Sequence, residues 1–147
     1  MKRYAIMVFT TLSLLAMLTA TSVKAQSNLH LEVNIPFEFS VGNKALPAGE
    51  YTVRYVAQGM LVIQSVDRHV SQVFSILSTE AGRGRDESSL IFTRYGDQYF
   101  LSTIWTAGDN IGHTLRKPHT EKQLIRARRL FANSASEYQD VFVVAHR

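Results

Sequence analysis

The chain has 147 residues, a formal net charge of +4 and no cysteine. The absence of cysteine excludes disulfide staples, thiolate metal sites and cysteine nucleophiles, so stability must come from packing. A chain of this length holds one domain with one hydrophobic core and not two.

The first 25 residues are typical of an export signal. Basic residues precede an apolar run, and Val23-Lys24-Ala25 places small residues at the two positions that a signal peptidase inspects. We expect cleavage after Ala25, which leaves a single β-rich domain over residues 26–147. The apolar run is short of the ~20 residues that a spanning helix needs, so no transmembrane span is expected after cleavage; an uncleaved anchor is the alternative. We predict an exported protein, either periplasmic or extracellular.

The basic balance of the whole chain is misleading. Three of the 16 basic residues leave with the signal, so 13 remain against 12 acids and the net charge falls to +1. The charge that remains is uneven, because residues 113–131 carry six basic residues and one acid, Glu121. We predict no nucleic-acid partner, since export separates the chain from such molecules and the aromatic-basic motif of RNA-binding sheets is missing.

Residues 29–39 alternate between apolar and polar side chains without a break. A period of two over this length predicts one strand with one packed face. Because Pro36 has no amide hydrogen, the strand either breaks there or lies at a sheet edge, and we favour the edge.

The stretch VGNKALPAGEYTV, residues 41–53, predicts two chain reversals. Gly42 permits positive φ, and Pro47 keeps Leu46 extended. We expect Leu46 to tuck under the sheet. The stretch is therefore interpreted as a structural corner and not as a loop that grips a ligand.

More strands follow, separated by turns. We expect strands in MLVIQSV and VSQVFSIL, joined by a turn at Asp67-Arg68-His69, and a flexible exposed loop in STEAGRGRDESS, residues 78–89. The segment LIFTRYGDQYFLSTIWTA predicts a hairpin whose two-residue turn is Gly96-Asp97.

The end of the chain predicts one helix and one short strand. Gly108 to Pro118 is interpreted as irregular. Thr120 followed by Gln123 has the spacing of a capping box and predicts a helix start there. A helical wheel places Leu124, Ala127, Leu130 and Phe131 on one arc and Lys122, Arg126 and Arg129 on the opposite one. We expect the helix to end at Asn133 and a strand to cover residues 141–144.

Two segments, IPFEFSVGNKALPAGEYTV and LIFTRYGDQYFLSTIWTAG, together with the basic helix, resemble a large family of small exported proteins from environmental bacteria. Its members share a PF-x-F-x-VG…LPAG-x-Y-x-V pattern and a RYGD-x-YFL hairpin. The resemblance implies export and a β-rich domain, and it brings no activity or ligand with it.

No catalytic or metal site is predicted. The five histidines lack metal-ligand spacing. His113 and His119 are the pair most compatible with a metal site, and we interpret both as solvated loop residues. No nucleophile signature offers a partner to Asp67 and His69. We predict no enzyme, no cofactor and no metal, and a hydrolase is the least favoured alternative.

Two surfaces are candidates for binding. The first consists of Lys122, Arg126 and Arg129, with Arg116 and Lys117 beside them. Such a stripe suits lipopolysaccharide, anionic lipid headgroups or another anionic envelope polymer. A solvated helix face is the alternative, because cations near a helix C-terminus also complement its dipole.

The second candidate surface is aromatic and consists of Tyr95, Tyr99 and Trp105. Exposed rings of this kind stack on sugars, so the surface predicts a carbohydrate-binding module. Cross-strand packing accounts for the same residues without a ligand, and we favour it.

We therefore predict a mainly β domain with a single antiparallel β-sandwich or partly open β-barrel of six or seven strands and one C-terminal amphipathic helix. The predicted function is surface recognition or a structural role in the cell envelope, with anionic envelope components as partners and glycan as the alternative. The sequence does not indicate an oligomeric state.

Overall fold

The computed structural model describes residues 29–81, 85–131 and 138–146. The predicted signal with its cleavage site after Ala25, and the helix end predicted at Asn133, lie outside these ranges. The described residues form strands β1 (His30–Ile35), β2 (Phe39–Val41), β3 (Lys44–Leu46), β4 (Gly49–Ala57), β5 (Met60–Ser65), β6 (Ser71–Ala81), β7 (Ser88–Tyr95), β8 (Gln98–Trp105), β9 (Ile111–Leu115) and β10 (Gln139–His146), and helix α1 (His119–Phe131).

Eight of these strands close into an antiparallel barrel. Around the barrel the order is β1, β4, β5, β6, β9, β8, β7 and β10, and β10 returns to β1. The prediction of a mainly β domain with one C-terminal helix is confirmed. The prediction of six or seven strands in a sandwich or a partly open barrel is wrong, because every strand of the barrel is paired on both sides.

Strand β9 closes the barrel, and it lies in the stretch that was predicted to be irregular. It pairs with β6 through Leu115 and Ile76, and with β8 through His113 and Ile104. Its five residues contain a glycine and two polar side chains, so the sequence shows no clear period of two. Pairing with two neighbours makes this short segment a strand.

Strand β1 is an interior strand of the barrel, paired with β4 on one side and β10 on the other. The edge placement that we favoured is therefore wrong, and the chain leaves the strand just before Pro36 instead. The predicted alternation is confirmed, because the burial of β1 changes at every residue. The missing amide hydrogen of Pro36 thus ends the strand and does not move it to an edge.

The corner at residues 41–53 is a short hairpin followed by the start of β4. Strands β2 and β3 pair across a turn in which Gly42 has φ of 61°. Leu46 is fully buried, as predicted, and the Tyr51 hydroxyl donates a hydrogen bond of 2.7 Å to the carbonyl of Pro47. The hairpin joins β8 through a parallel pairing of Ser40 with Phe100. This hairpin is referred to below as the β2–β3 hairpin.

The barrel interior is filled with side chains, as expected for a barrel of eight strands. The core includes Leu31, Ile35, Phe39, Val41, Leu46, Tyr51, Val53, Leu61, Ile63, Leu90, Phe92 and Ile104. The aromatic members meet edge to face; the ring centroids of Phe39 and Tyr51 are 5.2 Å apart. The interior is therefore a packed core and leaves the outer surface for recognition.

Strands occupy both ends of the segment 78–89 that was predicted to be a flexible loop. Strand β6 continues to Ala81, and β7 already begins at Ser88. Ser88 is buried because its hydroxyl accepts a hydrogen bond of 2.9 Å from the amide of Ala107. The partner of its hydroxyl allows the polar Ser88 to be buried at the start of β7.

Helix α1 begins at His119, two residues earlier than a helix capped by Thr120 would begin. The Pro118 carbonyl accepts the first helical hydrogen bond, from the amide of Lys122 at 3.1 Å. Thr120 is therefore inside the helix and is not its N-cap. The inner face differs as well: Glu121 is buried, whereas Ala127 is exposed. The side chains of Arg129, Leu130 and Phe131 are outside the described part. No helix among the described residues is long and apolar enough to cross a membrane.

Candidate functional site

A cleft of about 930 Å³ lies on the outside of the barrel. The β2–β3 hairpin forms one wall, strand β6 forms the floor, and the segment from the end of β9 to the first turn of α1 forms the other wall. Its volume falls in the range of pockets that hold small ligands, which is roughly 300–1,000 Å³. The cleft is referred to below as the basic cleft.

Basic side chains from three elements line the basic cleft. They are Lys44, Arg116, Lys117, His119 and Lys122. The described residues that line it include no aspartate or glutamate. The arrangement therefore concentrates positive charge in a concave space, where low-dielectric walls strengthen the potential.

The walls of the cleft hold these cations in place through backbone structure. Lys44 follows the turn of the β2–β3 hairpin, and its ammonium donates a hydrogen bond of 3.0 Å to the carbonyl of Ser71 at the start of β6. This contact fixes the hairpin tip against the floor of the cleft. On the opposite wall, the hydrogen bond between Pro118 and Lys122 starts the helix directly after β9. The cations of that wall therefore lie within one short segment.

The cations differ in whether an acid neutralises them. The ammonium of Lys117 lies 3.6 Å from a carboxylate oxygen of Glu121. Among the side chains that the structure describes, no carboxylate pairs with Lys44, Arg116 or Lys122. These three charges are the ones available to an incoming anion.

The first turn of α1 adds to the attraction. His119 and Lys122, which belong to this turn, line the cleft. The first amides of a helix have no partner within the helix, and its dipole favours negative charge at this end. The helix start and the cations therefore favour the same kind of ligand.

The structure brings together three of the five residues predicted as a basic surface. Arg116, Lys117 and Lys122 line the basic cleft, whereas Arg126 is exposed on α1 and does not line it. The side chain of Arg129 is outside the described part. Sequence reasoning missed Lys44, because a single lysine in a turn gives no signal that the hairpin will face the helix.

The aromatic residues predicted as an alternative surface do not form an exposed platform. Tyr95 and Trp105 are buried. Tyr99 is half-buried, and its ring stacks on Phe37 with centroids 4.0 Å apart and an interplanar angle of 17°. These rings pack against the protein itself, which agrees with the favoured interpretation of packing and not with the alternative of an exposed aromatic face.

The histidine pair considered for metal binding is divided between two environments. His119 lies in the basic cleft, while Nε2 of His113 lies 2.8 Å from the hydroxyl of Tyr55 on β4. Burial lowers the pKa of His113, and Asp109 opposes that shift. No group of three or more potential metal ligands occurs among the described residues.

The turn at Asp67-Arg68-His69 has the predicted role in the fold. Asp67 accepts hydrogen bonds from the hydroxyl of Ser65 and from the amide of His69, and these bonds lower its pKa. Arg68 has φ of 62°. An aspartate that caps its own turn in this way stabilises the chain reversal.

No family model, no curated protein and no solved structure matches this chain. The resemblance to a family of exported bacterial proteins stays a prediction.

Proposed function

We propose that the chain is an exported, non-enzymatic β domain that recognises anionic components of the cell envelope through the basic cleft. The observation that carries this proposal is the convergence of Lys44, Arg116 and Lys122 on one concave space whose described lining contains no acid. Two of these residues belong to the basic surface predicted from the sequence, and the third comes from a distant part of the chain.

Repulsion among the cations of the basic cleft favours the binding of an anion. Cations gathered without counter-charges repel one another, and an anion that enters the cleft removes this repulsion while it gains charge-assisted hydrogen bonds. Arg116 offers a planar fork of donors that fits phosphate or carboxylate, and the lysines supply compact charges. Anionic envelope polymers and lipid headgroups present these acceptors.

Carbohydrate recognition has less support. Its predicted platform of Tyr95, Tyr99 and Trp105 is engaged in packing. A hydrolase has less support again, because the turn that holds Asp67 and His69 uses the carboxylate to stabilise its own backbone. We therefore keep anion recognition as the proposal.

The proposal is tested by binding the purified protein to vesicles. Equimolar phosphatidylglycerol and phosphatidylcholine vesicles are compared with vesicles of phosphatidylcholine alone. We expect binding to the anionic vesicles and its loss at high salt, because the attraction is electrostatic. Since each basic residue near an anionic surface contributes about 1 kcal/mol, Arg116→Ala with Lys122→Ala is expected to weaken binding about 30-fold.

A matched control removes two exposed arginines that do not line the cleft. Arg126 is exposed and does not line the cleft, and Arg54 is exposed on β4. Arg126→Ala with Arg54→Ala therefore removes the same net charge without touching the cleft. Equal binding to both kinds of vesicle, or equal losses in the two double variants, would overturn the proposal that the cleft recognises anions.

A further inference from the structure

We infer that the ligand of the basic cleft is an anionic amphiphile, a phosphate headgroup carrying an acyl chain, whose chain lies along Val73 and Leu77 of β6. This inference rests on the proposed function and deepens it. The headgroup would be held by the unpaired cations, and the chain would cover the two exposed apolar side chains on the floor of the same cleft.

Two apolar side chains of the cleft floor face solvent, with the exposed Ser75 between them. Val73 is 44% exposed and Leu77 is 54% exposed, and both line the basic cleft. A ligand that consisted of charge alone would leave these side chains in water. A ligand with an apolar part would cover them and gain the free energy of their burial.

Leu77 faces the cleft because it continues the alternation of strand β6. Phe74 and Ile76 pack against the core, whereas Val73 and Leu77 are exposed. The register between β6 and β9 also shifts at this point, between Ile76 and Ser78. Bulges of this kind are over-represented beside functional sites.

The cationic and apolar parts of the cleft are neighbours in the sheet. Leu115 of β9 pairs with Ile76 of β6, and because these strands are antiparallel, Arg116 and Leu77 leave this pair in opposite directions and lie diagonally across it. Both side chains line the basic cleft, so a headgroup bound by Arg116 has an apolar side chain in the same cleft. Val73 and Leu77 are four residues apart on β6, a span of about 13 Å along a strand, which gives an acyl chain a path to follow.

The test compares one headgroup with and without its chains. The purified protein is titrated calorimetrically with dihexanoylphosphatidylglycerol kept below its micelle concentration, and separately with glycerophosphoglycerol, the deacylated headgroup. We expect the acylated probe to bind about 30-fold more tightly, which corresponds to the burial of a few methylene groups.

Two variants assign this difference to the floor of the cleft. Val73→Thr with Leu77→Ser is expected to remove most of the 30-fold difference and to leave the headgroup affinity unchanged, which also shows that the variant folds. Val144→Thr is the matched control, because Val144 is a valine of β10, 47% exposed and outside the cleft. Its affinities are expected to equal those of the parent protein.

The outcomes separate this inference from the proposed function. Equal affinity for the two probes, with both still weakened by Arg116→Ala, overturns the amphiphile and keeps anion recognition. A preference for the acylated probe that survives Val73→Thr with Leu77→Ser also overturns the inference, since the chain then binds elsewhere. Failure of both probes and of the anionic vesicles overturns the two proposals together.

Discussion

The hydroxyl of Tyr95 donates a hydrogen bond of 3.1 Å to Oε1 of Glu121 and so connects the end of strand β7 to the first turn of helix α1. Glu121 is 3% exposed, and Lys117 lies beside it on the same helix. Burial, and then the Glu121 carboxylate, raise the pKa of Tyr95. This contact holds the helical wall of the basic cleft against the barrel.

Removing the Tyr95 hydroxyl is expected to destabilise the protein. Tyr95→Phe removes the hydroxyl that donates a hydrogen bond to the buried carboxylate of Glu121. We expect this loss to lower the free energy of unfolding by about 1–3 kcal/mol. Glu121→Gln keeps an acceptor oxygen and should cost less than Glu121→Ala. Urea denaturation measures all three. Tyr138→Phe is the control because Tyr138 is exposed, and an equal loss in that control would contradict the prediction.

Stability is expected to depend on pH through His113. Burial lowers the pKa of this histidine in the folded protein, whereas the unfolded chain titrates near ~6.5. Between these two values the unfolded state binds more protons, so the free energy of unfolding rises with pH. The contribution of His113 is therefore full above about pH 6.5 and is lost as the pH falls.

The measurement compares urea denaturation at about pH 7.5 and about pH 5.5. His113→Gln should reduce the difference in unfolding free energy between the two conditions. His69→Gln changes an exposed histidine and should leave the difference as it is in the parent protein. An unchanged difference in His113→Gln would show that other groups cause the pH dependence.

Barrel closure is expected to require glycine at position 112. A Cβ added to Gly112 would lie 2.6 Å from ring atoms of Trp105, the single tryptophan of the chain. Gly112→Ala must therefore displace a buried ring, at a cost of about 1–3 kcal/mol. Denaturation and tryptophan fluorescence report the loss of stability and the ring movement.

Thr114 on the same strand provides the control for Gly112. Its hydroxyl is buried, and no described residue is its hydrogen-bond partner. Thr114→Val replaces that hydroxyl with a methyl group and should leave stability unchanged or raise it. Equal free energies of unfolding for Gly112→Ala and Thr114→Val would contradict the prediction that the ring of Trp105 leaves no room for a side chain at position 112.

The β2–β3 hairpin is expected to depend on Leu46. This side chain is fully buried, and Leu46→Ala should lower the free energy of unfolding by about 2–5 kcal/mol, since it removes core contacts and leaves a cavity. Ala45→Ser is the control, because Ala45 lies next to Leu46 on the exposed side of β3. Similar denaturation midpoints for the two variants would contradict the prediction that Leu46 anchors the hairpin.

The strands that stand out in sequence carry their own local signal. Residues 29–35 were predictable because apolar and polar side chains repeat with the period of a pleated strand. The hairpin around Gly96-Asp97 was predictable because a two-residue turn separates two runs rich in aromatic side chains. Strand β9 was not, because its pairing with β6 and β8 depends on residues far away along the chain. The inner face of α1 was mispredicted for the same reason, since Tyr95 supplies a partner that allows Glu121 to be buried.

The candidate site was also predictable from the sequence only in part. The sequence indicated a concentration of positive charge at residues 113–131, because local composition suffices for that. It contained no sign that Lys44 would face this segment or that Val73 and Leu77 would line the same cleft. Local periodicity determined that this chain forms strands and one basic helix. The closed barrel and its cleft were decided only by tertiary structure, because long-range pairing sets which distant side chains become neighbours.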